Sequence, residues 1–309
     1  MSHKHTLLDA DESIFFAREL EHVKSKSYDK KYAQLKARML FPVSSDAGAG
    51  AESITYEQYD AVGLAKVISS YADDLPRADV KGKQFTSIIK SLGASFGYSI
   101  QEIRAAQMAG KPLAQRKADA AKKAILTKED QVAFSGDVVN NIQGFLNNAN
   151  IPLVVLLADG TGATITFSTK TPDKILRDLN TFVNSIVELT KEVEIPDTLL
   201  LPTTIYNLLK NTPWSNANDG KSILKLFLEN QEYIKNVFSV PRLESAGAGG
   251  VKRMAAYRRD PEVLTLEIPQ DFEMLEEQPR GLEYITPCHS RLGGVIVYYP
   301  LACAFSDGI

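Results

Sequence analysis

The residue types that carry most enzymatic chemistry are thinly spread in this chain. Four histidines and two cysteines occur among 309 residues. His3 and His5 form an H-x-H pair in an end whose composition reads as disordered, which argues against a metal site there, and His22 sits in a charged helix-like stretch and reads as solvated. Cys288 and His289 are neighbours and suggest a thiol–imidazole pair. A nucleophilic cysteine, however, needs its base beside it in space and a third group to orient that base. Adjacent residues of a strand point to opposite faces instead. Two cysteines cannot make a zinc site, and neither H-E-x-x-H nor G-x-S-x-G occurs. The glycine-rich stretches 158–162 and 246–250 lack the Lys-Ser/Thr of a phosphate loop and read as turns. The carboxylate pairs Asp73-Asp74 and Glu276-Glu277 fall in loops and read as solvated, and Trp214, after Pro213, reads as packing. The expectation is a chain with no catalytic residue, no metal and no cofactor. An enzyme of unknown chemistry, a small oligomer built around a pocket, remains the weakest of the alternatives.

Composition bounds the rest. The chain is 44% hydrophobic and 24% charged, which is enough to build a globular core. A net charge of −3 argues against wholesale coating of nucleic acid. The distribution is uneven: residues 41–80 hold seven acids and two bases, residues 81–128 ten bases and two acids. Two such blocks read either as a solvated face or as complementary surfaces on neighbouring copies of one subunit. Two cysteines are no disulfide framework and point to a reducing compartment. The N-terminus lacks a basic region followed by an apolar run, and the longest apolar stretch, Ile151 to Ala158, is strand-sized. These features predict a soluble protein made in a cytoplasm, with no membrane partner.

The elements that would position any site follow from periodicity. Residues 1–50 read as an arm, with helical spacing from Asp11 to about Val23 and a second apolar patch at Tyr32, Leu35, Met39 and Leu40 that Pro42 stops. Its stripe is narrow, so it is either a surface helix of the same fold or an arm lying across another subunit. Ser53 to Tyr56 and Ala65 to Ile68 alternate like strands, and Asp73, Asp74, Pro76 and Arg77 supply turn chemistry. A polar hairpin with so little to bury needs a partner surface. Ser99 and Glu102 form a capping box that starts a helix at Ile100; Gly110 ends it, and Pro112 suits the first turn of an alanine- and lysine-rich helix from Leu113 to Ile125. Residues 137–250 read as an α/β domain. Strands are expected at Ile151–Leu157, Ala163–Phe167 and Thr198–Leu201. Helices are expected after Thr171-Pro172, with the core stripe Ile175, Leu176, Leu179, Phe182, Val183, Ile186 and Val187, and over Thr203–Lys210 and Ile223–Glu229. The 245–250 loop reads as flexible. Residues 251–309 are mostly strand, at Val251–Tyr257, Val263–Ile268, Leu282–Pro287 and Gly294–Tyr299, with a turn at Arg258–Pro261.

Three stretches, LKARMLFPVSS (35–45), ITYEQYDAVGLAKVISSYADDLPRADVKGKQF (54–85) and SLGASFGYSIQEIRAAQMAGKPLAQRKADAAKKAI (91–125), resemble a family of tailed-phage and prophage major capsid proteins with the Hong Kong 97-like shell fold. DTLLLPTTIYNLL (197–209), AYRRDPEVLTLEIPQDFE (256–273) and LGGVIVYYPLACAFSDGI (292–309) look like the same family. The resemblance implies an α+β fold. Residues 1–51 would be an N-terminal arm, 52–84 an extended loop over the neighbouring subunit, 85–136 and 255–309 a peripheral domain with a spine helix, and 137–254 an axial domain. Gly110 and Pro112 depart from an unbroken spine, so a break is expected there.

The resemblance also implies function. The chain would assemble with itself into hexamers, pentamers and a closed icosahedral shell around double-stranded DNA, held by non-specific electrostatics, with a portal and with scaffolding or decoration proteins as partners. A shell of the same fold around a protein cargo is the runner-up. Tyr56, Tyr59, Asp60, Lys66, Asp73, Asp74, Arg77, Lys81 and Lys83 are the candidate inter-subunit contacts. Some shells of this fold crosslink a loop lysine to an asparagine of another subunit. Lys66, Lys81 and Lys83 are present, but no partner asparagine can be matched, so uncrosslinked subunits are expected. The arm is too short for a long scaffolding region, which implies a separate scaffold or none.

Overall fold

A computed structural model describes residues 33–62, 79–110, 113–214 and 220–309. The expected helix at Asp11–Val23, the strand at Ala65–Ile68 and the turn at residues 73–77 lie outside the described residues. In chain order the elements are α1 (Ala37–Leu40), β1 (Val43–Ser44), β2 (Ser53–Val62), β3 (Asp79–Ile88), β4 (Lys90–Ser99), α2 (Ile100–Ala109), α3 (Leu113–Ser135) and α4 (Pro172–Leu189). There follow β5 (Thr198–Leu201), α5 (Thr203–Asn211), α6 (Ile223–Asn230), β6 (Asn236–Ser239), β7 (Arg253–Tyr257), β8 (Leu264–Glu267), β9 (Gln270–Met274), β10 (Gln278–Arg280), β11 (Glu283–Leu292), β12 (Gly294–Val297) and β13 (Cys303–Asp307).

The mixed sheet β13-β7-β5-β6 is the centre of residues 35–309. Alternation sends its side chains into two separate cores. Leu199, Leu201, Met254, Ala256 and Ala304 pack on the apolar stripe of α4, with α5 and α6 alongside. Leu200, Ala255, Tyr257, Cys303 and Phe305 face the other way, onto α1, the end of α3 and the strands β8 and β12. The α4 stripe is as the spacing predicts, with Leu176 at its half-buried margin. β5 matches the expected strand residue for residue, and α5 and α6 run one residue beyond their expected ends.

Local signals that the sequence carries are realised. Ser99 Oγ accepts from Glu102 N at 3.1 Å, while the Glu102 carboxylate accepts from Ser99 N at 3.0 Å. Gly110 closes α2 at φ 61°, a left-handed cap that a side chain would strain. The break between α2 and α3 is present.

Several expectations are corrected. Residues 36–44 are part of the body and not of an arm. Phe41 is fully buried, with ring centroids 5.3 Å from Phe134, 5.1 Å from Phe145 and 6.0 Å from Tyr257. Tyr257 donates its hydroxyl to Leu40 O at 2.8 Å, and β1 pairs in parallel with β8. α3 runs ten residues past Ile125, because Glu129 and Asp130 in its last turns are buried to hold that segment. Asp130 accepts from Lys36 N and Ala37 N, both at 2.9 Å, and from Arg242 Nε at 2.8 Å; Glu129 takes Arg38 in a two-pronged pair.

Ile151–Leu157 is not a strand. It runs along the edge of β13 with a single bridge, Leu153 to Phe305, and Pro152 removes a ladder donor. Ala163–Phe167 is a turn in which the threonine hydroxyls of residues 164 and 169 bond each other and nearby carbonyls in place of a ladder. Short 3-10 turns at Pro241–Ser245 and Ala248–Gly250 flank Ala246 and Gly247, and Asp307 accepts from Ala248 N. β4, unanticipated, carries Leu92, Ala94, Phe96 and Tyr98 on one face, the first three against Ala121, Ile125 and Cys288 and Tyr98 beside Phe96 and under Lys117.

Removing the Asp130 carboxylate strands two buried amides and Arg242. We predict that Asp130→Ala costs about 2–3 kcal/mol in a denaturant titration of the unassembled subunit. Asp271→Ala removes only a solvent-exposed partner of Arg38 and is expected to cost under ~0.5 kcal/mol.

Candidate assembly interface

β2 and β3 form a ten-pair antiparallel ribbon from Ser53↔Ile88 to Val62↔Asp79. It is a sheet by itself and joins no other strand among the described residues. Polar alternation explains this: Thr55, Glu57, Gln58, Lys81, Lys83 and Gln84 are exposed, so the ribbon has no core of its own. Such a ribbon is marginal in water unless something is packed on it.

Its base is fixed by an aromatic stack and a buried carboxylate. Tyr56 stacks on Phe85 with centroids 5.2 Å apart and meets Tyr298 edge-on at 4.9 Å. Burial pushes the phenols of both Tyr56 and Tyr298 up, so both stay neutral. The Tyr298 hydroxyl lies 2.9 Å from Thr265 Oγ1. Thr265 donates to Glu267 Oε1 at 2.5 Å, and Ser44 donates to Oε2 at 3.0 Å. Glu267, 3% exposed, therefore accepts from hydroxyls on two segments, β8 and β1, and Tyr298 joins them through Thr265. That ring of donors sets the angle at which Tyr298 meets the ribbon.

The sequence-selected contacts divide as follows. Tyr56 turns inward and anchors the ribbon to its own subunit. Tyr59 is 66% exposed, donates to Glu57 on the same strand, and lies over Gly82, where an added Cβ would come within 3.0 Å of the ring. Lys83 is exposed with its ammonium 4.9 Å from the Phe85 ring, and Lys81 stands opposite Asp60 in register. Lys66, Asp73, Asp74 and Arg77 lie outside the described residues. Sequence reasoning missed Phe85, Tyr298 and Glu267. The Tyr298-Tyr299-Pro300 run was the available signal for the aromatic anchor; nothing local marks Glu267.

The charge blocks also change meaning. The border near residue 80 falls at the start of β3, so part of the acidic block faces part of the basic block across one ribbon. Within α3, Lys117 bonds Glu102 and Gly97 O, Lys128 pairs with Asp137, and Lys122 sits 5.9 Å from the Phe272 ring. Much of the basic block is therefore engaged inside its own fold.

Large apolar side chains stand exposed elsewhere on the unit: Met108 at 95%, Val139 at 94%, Val155 at 78% and Leu282 at 75%. Burial pushes the thiols of Cys288 and Cys303 up, away from the reactive thiolate, and no acid, histidine or cysteine cluster fit for a metal occurs among the described residues. No helix among them is long and apolar enough to cross a membrane.

We predict that Tyr298→Ala loosens the ribbon from the body. Limited proteolysis within residues 53–88 should accelerate by about tenfold, with the body's unfolding transition little changed. Unchanged cleavage would mean that the ribbon is held by something else.

Comparison with known proteins agrees with this reading. The family model described as "Major capsid protein" matches residues 63–309. Among solved structures, the capsid of Myoviridae phage XM1 superposes with a TM-score of 0.83 at 19% identity, covering 96% of this chain and 99% of that one. The capsid of a native GTA particle gives 0.66 at 14% identity, over 94% and 95% of the two chains. A virus-like particle from Pyrococcus furiosus gives 0.56 at 15%, over 87% and 91%. No curated protein matches the sequence. The α+β architecture is the Hong Kong 97-like capsid fold. The family model spans most of the chain, and the chain belongs to the major capsid protein family, whose members are structural shell subunits and not enzymes.

Proposed function

We propose that this chain forms the head shell of a tailed phage, closing as hexamers and pentamers around double-stranded DNA. The observation that carries the reading is the lone β2–β3 ribbon, ten pairs long, fixed at its base and bare along its length. A shell subunit must make many modest contacts that can be corrected during growth, each interface burying on the order of 800 Å² per partner. A ribbon lying over a neighbour adds such area without enlarging the core. The phage-head reading is favoured over a protein-cargo shell because the family is that of major capsid proteins and the phage XM1 likeness spans nearly the whole chain.

In this reading, residues 1–51 begin with an arm, though the body already starts at Lys36. Residues 52–84 are the extended loop, with the ribbon continuing to Ile88. Residues 85–136 and 255–309 form the peripheral domain, and 137–254 the axial domain. The boundary at 254/255 cuts through β7, so the two domains share the central sheet. DNA would be met by salt-sensitive electrostatics alone, since no base-reading motif is present. A portal, and scaffolding or decoration proteins, would complete the particle, with assembly in the host cytoplasm.

Negative-stain microscopy of the purified full chain should show closed particles; a monomer or dimer under every condition would exclude the reading. Deleting residues 54–82 is expected to leave a folded subunit by circular dichroism that no longer assembles. Denaturing electrophoresis of assembled particles should give one band at the monomer mass, and a ladder would reveal covalent links between subunits.

A further inference from the structure

A slot of about 510 Å³ opens against the β3 edge of the ribbon. The ladder fixes which backbone groups that edge offers. Ile89 N donates to Glu52 O at 2.9 Å, and bonded pairs alternate along an antiparallel ribbon in this register. Phe85 and Ser87 therefore bond across to β2, while Thr86 and Ile88 turn their N–H and C=O groups outward. Both outward residues line the slot. Its far wall is a row of carboxamides, Asn141, Gln143, Asn148 and Asn150. Asn148 is 6% exposed; its Oδ1 accepts from Asn150 N at 3.0 Å, and its Nδ2 donates to nothing among the described residues. The wall is held from behind, because Val295 N donates to Gln143 O at 3.0 Å and Ile142 N to Asp137 O at 2.9 Å. Lys83 is the one charged residue among the described residues lining the slot.

We propose that this slot binds an extended peptide segment of a partner protein, one that carries an acidic side chain. The incoming strand completes the ladder on the outward groups of Thr86 and Ile88, as strand addition to an open sheet edge does. Its own far edge then faces carboxamides, each offering a donor and an acceptor, which is what a peptide backbone needs. A backbone edge on one side and amides on the other satisfy both edges of a strand, whereas an apolar ligand would leave them unpaired. Lys83 supplies the charge selection: with no acid in the described lining, a carboxylate is attracted and an ammonium repelled. The far wall is already formed, so the ordering cost of binding falls mainly on the peptide. The proposal stands apart from the shell reading, because the slot belongs to the single subunit.

Fluorescence anisotropy of a labelled, capped peptide, Thr-Val-Thr-Glu-Val-Thr, titrated with the unassembled full-length chain, tests this. Binding should saturate at or below roughly millimolar chain. The same peptide N-methylated at alternate residues, in either phase, loses its donors to one wall or the other and should bind at least about tenfold more weakly. Lys83→Glu should weaken binding of the acidic peptide about tenfold and favour a version with lysine in place of glutamate. Lys81→Glu, on the same strand but outside the slot, should leave the affinity within about twofold. Binding that does not saturate, that ignores N-methylation or Lys83→Glu, or that favours the lysine peptide in the unmodified chain overturns the proposal and leaves the shell reading standing.

Discussion

The central sheet must bury both of its faces, and the rest of the body is arranged around that requirement. β5 sends Leu199 and Leu201 one way and Leu200 the other, and β7 and β13 repeat the alternation. Burying an aliphatic side chain is worth about 1.5–3 kcal/mol, so a sheet with two apolar faces holds together only if both are covered. α4 with its single stripe covers one. The other is covered by parts distant in sequence: Phe41, the end of α3, and β8 with β12. This explains why a segment near residue 40 belongs to the body and why two acids of α3 are buried to hold it.

Against that body the ribbon is a different kind of object. It contributes polar surface and backbone hydrogen bonds but little apolar burial, and its attachment is local: a tyrosine stack and a carboxylate ringed by hydroxyls. Rigid at the base and uncovered along its length, it is suited to contact and not to catalysis. Met108 on α2, Val155 beside the central sheet and Leu282 before β11 are exposed as well. Many weak patches, each unable to hold a partner alone, are what reversible growth of a large assembly requires.

Much of this was legible beforehand where the signal is local. The capping box at Ser99, the cap at Gly110, the stripe of α4 and the strand Thr198–Leu201 each depend on a few neighbouring residues and occur where the spacing puts them. The errors share a cause. Ile151–Leu157 is apolar enough to read as a strand, yet Pro152 interrupts the ladder and only one bridge to β13 forms, with Leu153, Val155 and Leu157 on a face that nothing in the described residues covers. β4 carries a weak strand signal because its inward residues, Leu92, Ala94, Phe96 and Tyr98, are separated only by serine and glycine, which have little strand preference. Of the candidate contacts, Tyr56 packs on Tyr298 of its own chain, a neighbour that no local pattern marks because it lies 242 positions later.

The sequence alone determined the elements governed by short-range sterics and capping, the absence of a reaction motif, and through its resemblance the family. Tertiary structure decided which charges face each other, where the body begins, and what holds the ribbon. Those outcomes turn on pairings between residues far apart in the chain, such as Lys36 with Asp130 or Ser44 with Glu267, and the energy of such a pair exists only once the intervening fold has brought its two ends together.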